Sequence, residues 1–190
     1  MKKYQIVYAD PPWRYNHGDI PTGGVNKHYK TMAIEEICAL PVPCDKNAIL
    51  FLWATTALLP EALNVMQAWG FNYKSSLIWD KVKMGVGYWF RGQHEFLLVG
   101  VRGKVKPPPS NMRIASVFRE PRTTHSRKPD MVRNYISKWY PDAERIEMFA
   151  RDNGDKDLFG KGRFDGWDTF GNEAKNTIEL LSEPNQQVKI

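Results

Sequence analysis

The sequence predicts an α/β fold: a mostly parallel sheet with an antiparallel end, flanked by helices. Three observations predict it. Short apolar runs of strand length alternate with stretches of helical period, the pattern of strands joined by crossover helices. The runs at residues 4–9 and 48–53 are apolar on both parities, as strands covered on two faces must be. The strand patterns at 71–80 and 93–101 follow one another with no helix between them, which makes that pair antiparallel.

Each element has its own signal. Residues 4–9, rich in β-formers, are stopped by Pro11 and Pro12, so Asp10 sits at the carboxyl end of the first strand. Residues 14–30 follow neither period and predict a long functional loop. A short helix is expected over 33–40, then the strand at 48–53. Residues 58–69 predict a helix with Leu59, Leu63, Met66 and Trp69 on one face and Gly70 as its stop. In 71–80, Phe71, Tyr73, Ser75, Leu77 and Trp79 are in phase, as on a strand. Lys81–Gly92 is expected to be a flexible loop before the strand at 93–101. The basic, proline-containing stretch 104–127 predicts extended, exposed backbone. Pro129 suits the first turn of a helix running to Trp139. A strand at 145–150, a Gly/Asp/Lys-rich loop over 152–166 and a short strand at 167–170 complete the chain. No repeat or hydrophilic linker divides it, so residues 1–190 are expected to form a single domain.

Composition narrows the classes of function. No apolar run approaches the roughly 20 residues that span a bilayer, so no membrane partner and a cytoplasmic location are expected. A net charge of +6 favours a polyanionic partner, because cations that neutralise phosphates release condensed counterions. Cys38 and Cys44 have no accompanying histidine, and no metal site is expected.

In open α/β sheets, ligands bind at the carboxyl ends of strands. Three polar clusters follow expected strands here: Asp10–Trp13, Arg151-Asp152-Asn153 and Asn172-Glu173. Two successive prolines stiffen the first cluster and leave its carbonyls free to accept. An Asp10 carboxylate and a Pro11 carbonyl could then take both hydrogens of an amino group, and Trp13 offers a flat face to a purine. The same tetrapeptide also reads as a strand stop with Trp13 in the core; its position directly after the first strand favours the chemical reading. His94 and Glu95 could form an acid/base pair, but neighbours in a strand point to opposite faces. Both are read as structural, with Glu95 a minor candidate for the site. Lys104, Lys106, Arg113, Arg119, Arg122 and Arg127 can track phosphates on an extended segment, or form a solvated surface loop.

An ordered series of motifs then carries a resemblance. It comprises DPPW at 10–13, Tyr-x-x-Met at 29–32, ILFLW at 49–53, QHEFLLVGVRG at 93–103, HSRKPD at 125–130, RIEMFAR at 145–151 and GWDTFGNE at 166–173. Over nearly its whole length the chain resembles the DPPW-bearing adenine-N6 methyltransferases, typified by the catalytic subunit for messenger-RNA adenosine, and their bacterial and phage relatives.

The resemblance implies a circularly permuted, Rossmann-like class I fold that binds S-adenosylmethionine. It implies Asp10, Pro11, Pro12 and Trp13 as the catalytic loop and Lys128 as partner to the cofactor's methionyl carboxylate. Asp10, Phe149, Arg151, Asn172 and Glu173 fall at cofactor-binding positions. Trp13 and Tyr15 are expected to bind the base, and Arg119 and Arg122 the nucleic acid around it. No G-x-G-x-x-G follows a strand, so the cofactor rests on the resemblance. The chain starts a few residues before DPPW, without the upstream segment that contacts the cofactor's adenine in the messenger-RNA enzyme. That contact is expected elsewhere, for instance from the loop after Arg151.

The function expected is methyl transfer to the N6 amino group of adenine in nucleic acid, with DNA favoured over RNA. The rivals are a catalytically silent nucleic-acid-binding subunit and an amino methyltransferase acting on cytosine or a glutamine side chain. A homo-oligomer or partner subunit docking through Lys81–Gly92 is the expected route to sequence recognition.

Overall fold

The structure, a computed structural model, describes residues 2–15, 31–87, 89–123, 127–151, 164–171 and 174–180. Its elements in chain order are β1 (Tyr4–Ala9), α1 (Ile34–Cys38), β2 (Cys44–Thr55), α2 (Leu59–Ala68), β3 (Asn72–Asp80), β4 (His94–Arg102), β5 (Val117–Arg119), α3 (Asp130–Trp139), β6 (Arg145–Met148) and β7 (Asp168–Phe170). The strands form one sheet in the order β5-β3-β4-β2-β1-β6-β7. Neighbours pair in parallel except at β4, which runs against both β2 and β3. The antiparallel part of the expected sheet is thus a single reversed strand. The chain enters the sheet at its middle and adds β6 and β7 last, on the far side of β1, as the permuted arrangement requires.

Side-chain period decides what each face buries. On one face Val7, Ala9, Leu50, Leu52 and Ala54 pack against Ile37 of α1 and Ala62, Val65 and Met66 of α2. On the other, Ile6, Tyr8, Phe51, Trp53, Trp79 and Leu97 meet Val132 and Ile136 of α3. Each aliphatic side chain removed from water here contributes roughly 1.5–3 kcal/mol.

Helix α2 ends as its glycine predicts. Gly70 adopts φ 80°, its N–H donates to the Gln67 carbonyl, and the Phe71 N–H reaches back to Met66 at 3.0 Å. Together these bonds satisfy the last carbonyls of the helix. Its buried stripe is Ala62, Val65 and Met66, continued by Leu58 and Trp69. Leu63, expected on that stripe, lies at its margin and is 38% exposed.

Other boundaries moved for tertiary reasons. β2 is twelve residues long instead of the six expected, because β1 pairs with Cys44 at one end and β4 with Thr55 at the other. Within the stretch expected to be extended and exposed, Val117–Arg119 adds to the sheet edge beside Ile78–Asp80. β6 stops at Met148, two residues early, because Phe149 turns out of the strand at φ 62°. Among the described residues no helix is long and apolar enough to cross a membrane.

Candidate active site

The carboxyl ends of β1, β2 and β3 and the amino end of the reversed β4 lie on one edge of the sheet, where Thr55 pairs with Glu95 and Asp80 with His94. The Asp10-Pro11-Pro12-Trp13 turn leaves β1 at this edge. Its carbonyls are not free, as the two prolines suggested. The Pro11 carbonyl accepts the Trp13 N–H at 2.8 Å and the Pro12 carbonyl accepts the Met32 N–H at 2.8 Å. The second bond ties the turn to residues 31–32 and fixes its course. Each carbonyl retains its second lone pair.

The turn forms one wall of a cavity of about 140 Å³ that Tyr15, Trp53, Thr55, Glu95, Lys128 and Arg151 also line. Lys128 enters from the loop before α3, and its ammonium donates to Asp10 Oδ2 at 2.7 Å. Glu95 Oε2 lies 3.5 Å from the same ammonium, and Glu95 Oε1 accepts from Lys81 at 3.1 Å. The result is a row of alternating charges, Asp10, Lys128, Glu95 and Lys81, of which the Lys128 side chain is only 9% exposed. Burial acts against the Glu95 carboxylate, but Lys128 and Lys81 outweigh it and hold its pKa below the ordinary 4.5. For Lys128, burial is likewise outweighed, first by Asp10 and then by Glu95, and the pKa lies above 10.5.

Those directions carry a stability prediction. A carboxylate whose folded pKa is lowered contributes stability that is present above its unfolded pKa and lost as pH falls through the folded value. The melting-temperature gap between wild type and Glu95→Gln should therefore be constant across neutral pH and should close below about pH 4.5. Thermal melts from about pH 3 to pH 8 test this, and a gap of equal size throughout would refute it.

Aromatic side chains stiffen the floor. The Trp13 indole N–H donates to the Trp53 carbonyl at 3.2 Å, and the Trp53 indole N–H to the Tyr8 hydroxyl at 2.7 Å. Trp13 is 7% exposed, so it is at once a core residue and a wall of the cavity. Tyr15, half-buried, donates its hydroxyl to Thr55 Oγ1 at 3.0 Å. Burial pushes the Tyr15 phenol up from its ordinary pKa of 10.0.

The remaining expected residues divide three ways. Arg151 lines the cavity, as do Asp10, Pro11, Pro12, Trp13, Tyr15 and Lys128. Phe149 does not: it packs in the core at 4% exposed, and its positive φ makes it the corner that turns the chain toward Arg151. Arg119 and Arg122 are also outside the lining; the Arg119 side chain is 68% exposed and 3.5 Å from Asp80. Asn172 and Glu173 lie outside the described residues.

Two charged residues matter more here than the sequence indicated. Glu95, read as structural and only a minor candidate for the site, faces the cavity, whereas His94 lies on the opposite face, 3.4 Å from Thr56 Oγ1. Lys81 was absorbed into a loop. Strand phase held the signal: Lys81 continues the row Leu77, Trp79; Glu95 continues Val99, Leu97; and Asp10 continues Ile6, Tyr8, all rows of one sheet face.

Fold and site together define a Rossmann-like methyltransferase domain, with its cavity at the carboxyl edge of the sheet and a DPPW turn as one wall. The chain belongs to the MT-A70 family, whose model matches residues 4–173. MT-A70 methyltransferases are dependent on S-adenosylmethionine. The chain is 34% identical to the type II methyltransferase M.MunI of Mycoplasma sp, over 96% of its own length and 83% of that protein. It is 30% identical to an N(6)-adenosine-methyltransferase MT-A70-like protein of Arabidopsis thaliana, over 95% of the chain and 25% of the relative. With the human N(6)-adenosine-methyltransferase catalytic subunit METTL3 it shares 28% identity, over 95% of the chain and 30% of the relative.

Proposed function

We propose that this protein, as a single methyltransferase domain, transfers a methyl group from S-adenosylmethionine to the exocyclic N6 amino group of adenine in nucleic acid. The observation that carries the reading is the Asp10–Trp13 turn, held rigid at the strand end with the Asp10 carboxylate directed to Lys128 inside the cavity.

An adenine amino group has two hydrogens to donate. Asp10 Oδ1 and the second lone pair of the Pro11 carbonyl are two acceptors on one stiff turn. Holding the amine there fixes its nitrogen and aligns its lone pair, so positioning does most of the work and a strong base is not needed. Trp13 and Tyr15 confine the ring, and the base reaches them unpaired or flipped from a duplex.

The donor set suits the methionyl end of the cofactor, which carries one carboxylate and one ammonium. The cavity presents Lys128 and Arg151 to the first, and Asp10 and Glu95 to the second. By family likeness, Asn172 and Glu173 hold its ribose. When bound, S-adenosylmethionine supplies a sulfonium methyl group that is already electrophilic.

DNA is proposed ahead of RNA as the polymer. The relative whose own length the chain nearly matches is a type II methyltransferase, and the adenosine enzymes are covered only to 25% and 30%. Arg119 and Arg122, exposed beyond the cavity, are suited to phosphates. A cytoplasmic location goes with this reading, as the likeness to the Mycoplasma enzyme supports.

Labelled-methyl transfer onto matched DNA and RNA, followed by nucleoside analysis, tests the reading. Label in N6-methyldeoxyadenosine is expected. Label in methylcytosine, or no transfer at all, would overturn it.

A further inference from the structure

The loop between β3 and β4 holds its largest apolar side chains out in water. Trp89 is 93% exposed, Phe90 89% and Val86 90%. Such a cluster marks an interaction site more often than an accident of folding. The loop has built geometry at both ends. At its base, the Lys81 N–H donates to the Gln93 carbonyl at 2.8 Å, and Asp80 Oδ1 takes both the Val82 N–H and the Gln93 amide. Higher up, the Gly85 N–H donates to the Gly92 carbonyl at 2.7 Å, and the Arg91 guanidinium to the Gly85 carbonyl at 2.9 Å. Gly87 is required at the turn, since a Cβ there would lie 2.0 Å from the Phe90 carbonyl oxygen.

This base adjoins the active site, because Lys81 grips Glu95, which lines the cavity. The loop therefore springs from the sheet edge that carries the cavity. Its charge is one-sided: residues 81–92 include Lys81, Lys83 and Arg91 and no acid. Two such loops from two copies of the chain would repel, whereas a phosphate backbone would be attracted.

We infer that Trp89 and Phe90 form a stacking platform for unpaired nucleotides next to the target base, with Lys83 and Arg91 contacting the flanking phosphates. The inference rests on the nucleic-acid reading above and names how the strand is held. An aromatic face takes any base, so the platform contributes affinity for single-stranded segments and little sequence preference.

Fluorescence anisotropy with labelled 20-nucleotide oligo(dT) tests it, using the whole protein and the variants Trp89→Ala, Phe90→Ala and the double variant. Oligo(dT) contains no adenine, so its binding does not require the cavity. Each substitution should weaken binding by about tenfold with the slope against salt unchanged. Lys83→Ala and Arg91→Ala should each lower that slope by about one. Unchanged affinity in a double variant with wild-type melting temperature would overturn the inference. So would a wild-type dimer that the double variant converts to monomer with no loss of oligonucleotide binding, since the tip would then be a protein contact. Trp89-dependent binding without any methyl transfer by the wild type would refute the catalytic reading alone. Undiminished methylation by the double variant at limiting oligonucleotide would refute this inference alone.

Discussion

Asp10→Ala will lower methyl transfer by at least about a hundredfold and leave the fold in place. Besides facing the cofactor's ammonium, the carboxylate has two duties that alanine cannot perform. One oxygen balances the buried Lys128 ammonium at 2.7 Å, and the other is the acceptor proposed for the adenine amine. Lys128 keeps Glu95 as an opposing charge at 3.5 Å, so the melting temperature should fall by only a few degrees. Asp10→Asn tests the charge apart from the size of the side chain. It keeps the size and one acceptor, but it removes the charge and turns an amide toward an ammonium or an amine. Its rate should lie near that of the alanine variant. Rates within tenfold of wild type for purified Asp10→Ala would show that the turn is a structural corner only.

Removing Glu147 should cost about 3–5 kcal/mol of folding stability, the largest structural effect expected outside the site. Arg133 of α3 reaches Glu147 of β6 through Nε at 2.8 Å and Nη2 at 2.6 Å, with the two residues 4% and 6% exposed. Glu147→Ala leaves a guanidinium out of water with its main counter-charge gone; Asp130, 3.1 Å away, is a partly exposed substitute. Against a total stability of roughly 5–15 kcal/mol, that loss brings the protein near unfolding. Replacing both members with apolar residues of similar volume should recover much of it, since no charge is then buried. Denaturant melts give both values. A loss below about 1 kcal/mol in Glu147→Ala would show that Asp130 and solvent suffice. The pair also adjoins the floor of the site: the Arg133 guanidinium lies 5.7 Å from the Tyr8 ring centre, and Tyr8 is joined through Trp53 to Trp13.

Much of the fold was legible because its signals are local. The apolar run Tyr4–Ala9, the glycine after α2 and the proline before α3 each act on a few residues, and all three elements are present. What was missed depended on partners. Val117–Arg119 lies in a stretch expected to be extended and exposed, and its two β-formers become β5 because β3 offers an open edge. Cys44–Asn47 reads as a polar loop and becomes the start of β2 because β1 pairs with Cys44.

The candidate site shows the same division. By itself the sequence determined a stiff Asp-Pro-Pro-Trp turn directly after a buried strand, and the family motifs. Only the tertiary structure decided that Asp10 meets Lys128 across 118 residues of chain, that Glu95 and not His94 faces the cavity, and that Trp13 is buried as it lines the wall. The reason is physical. Propensity and phase act over a few residues, whereas a sheet whose order differs from the chain order joins strand ends that no local term relates.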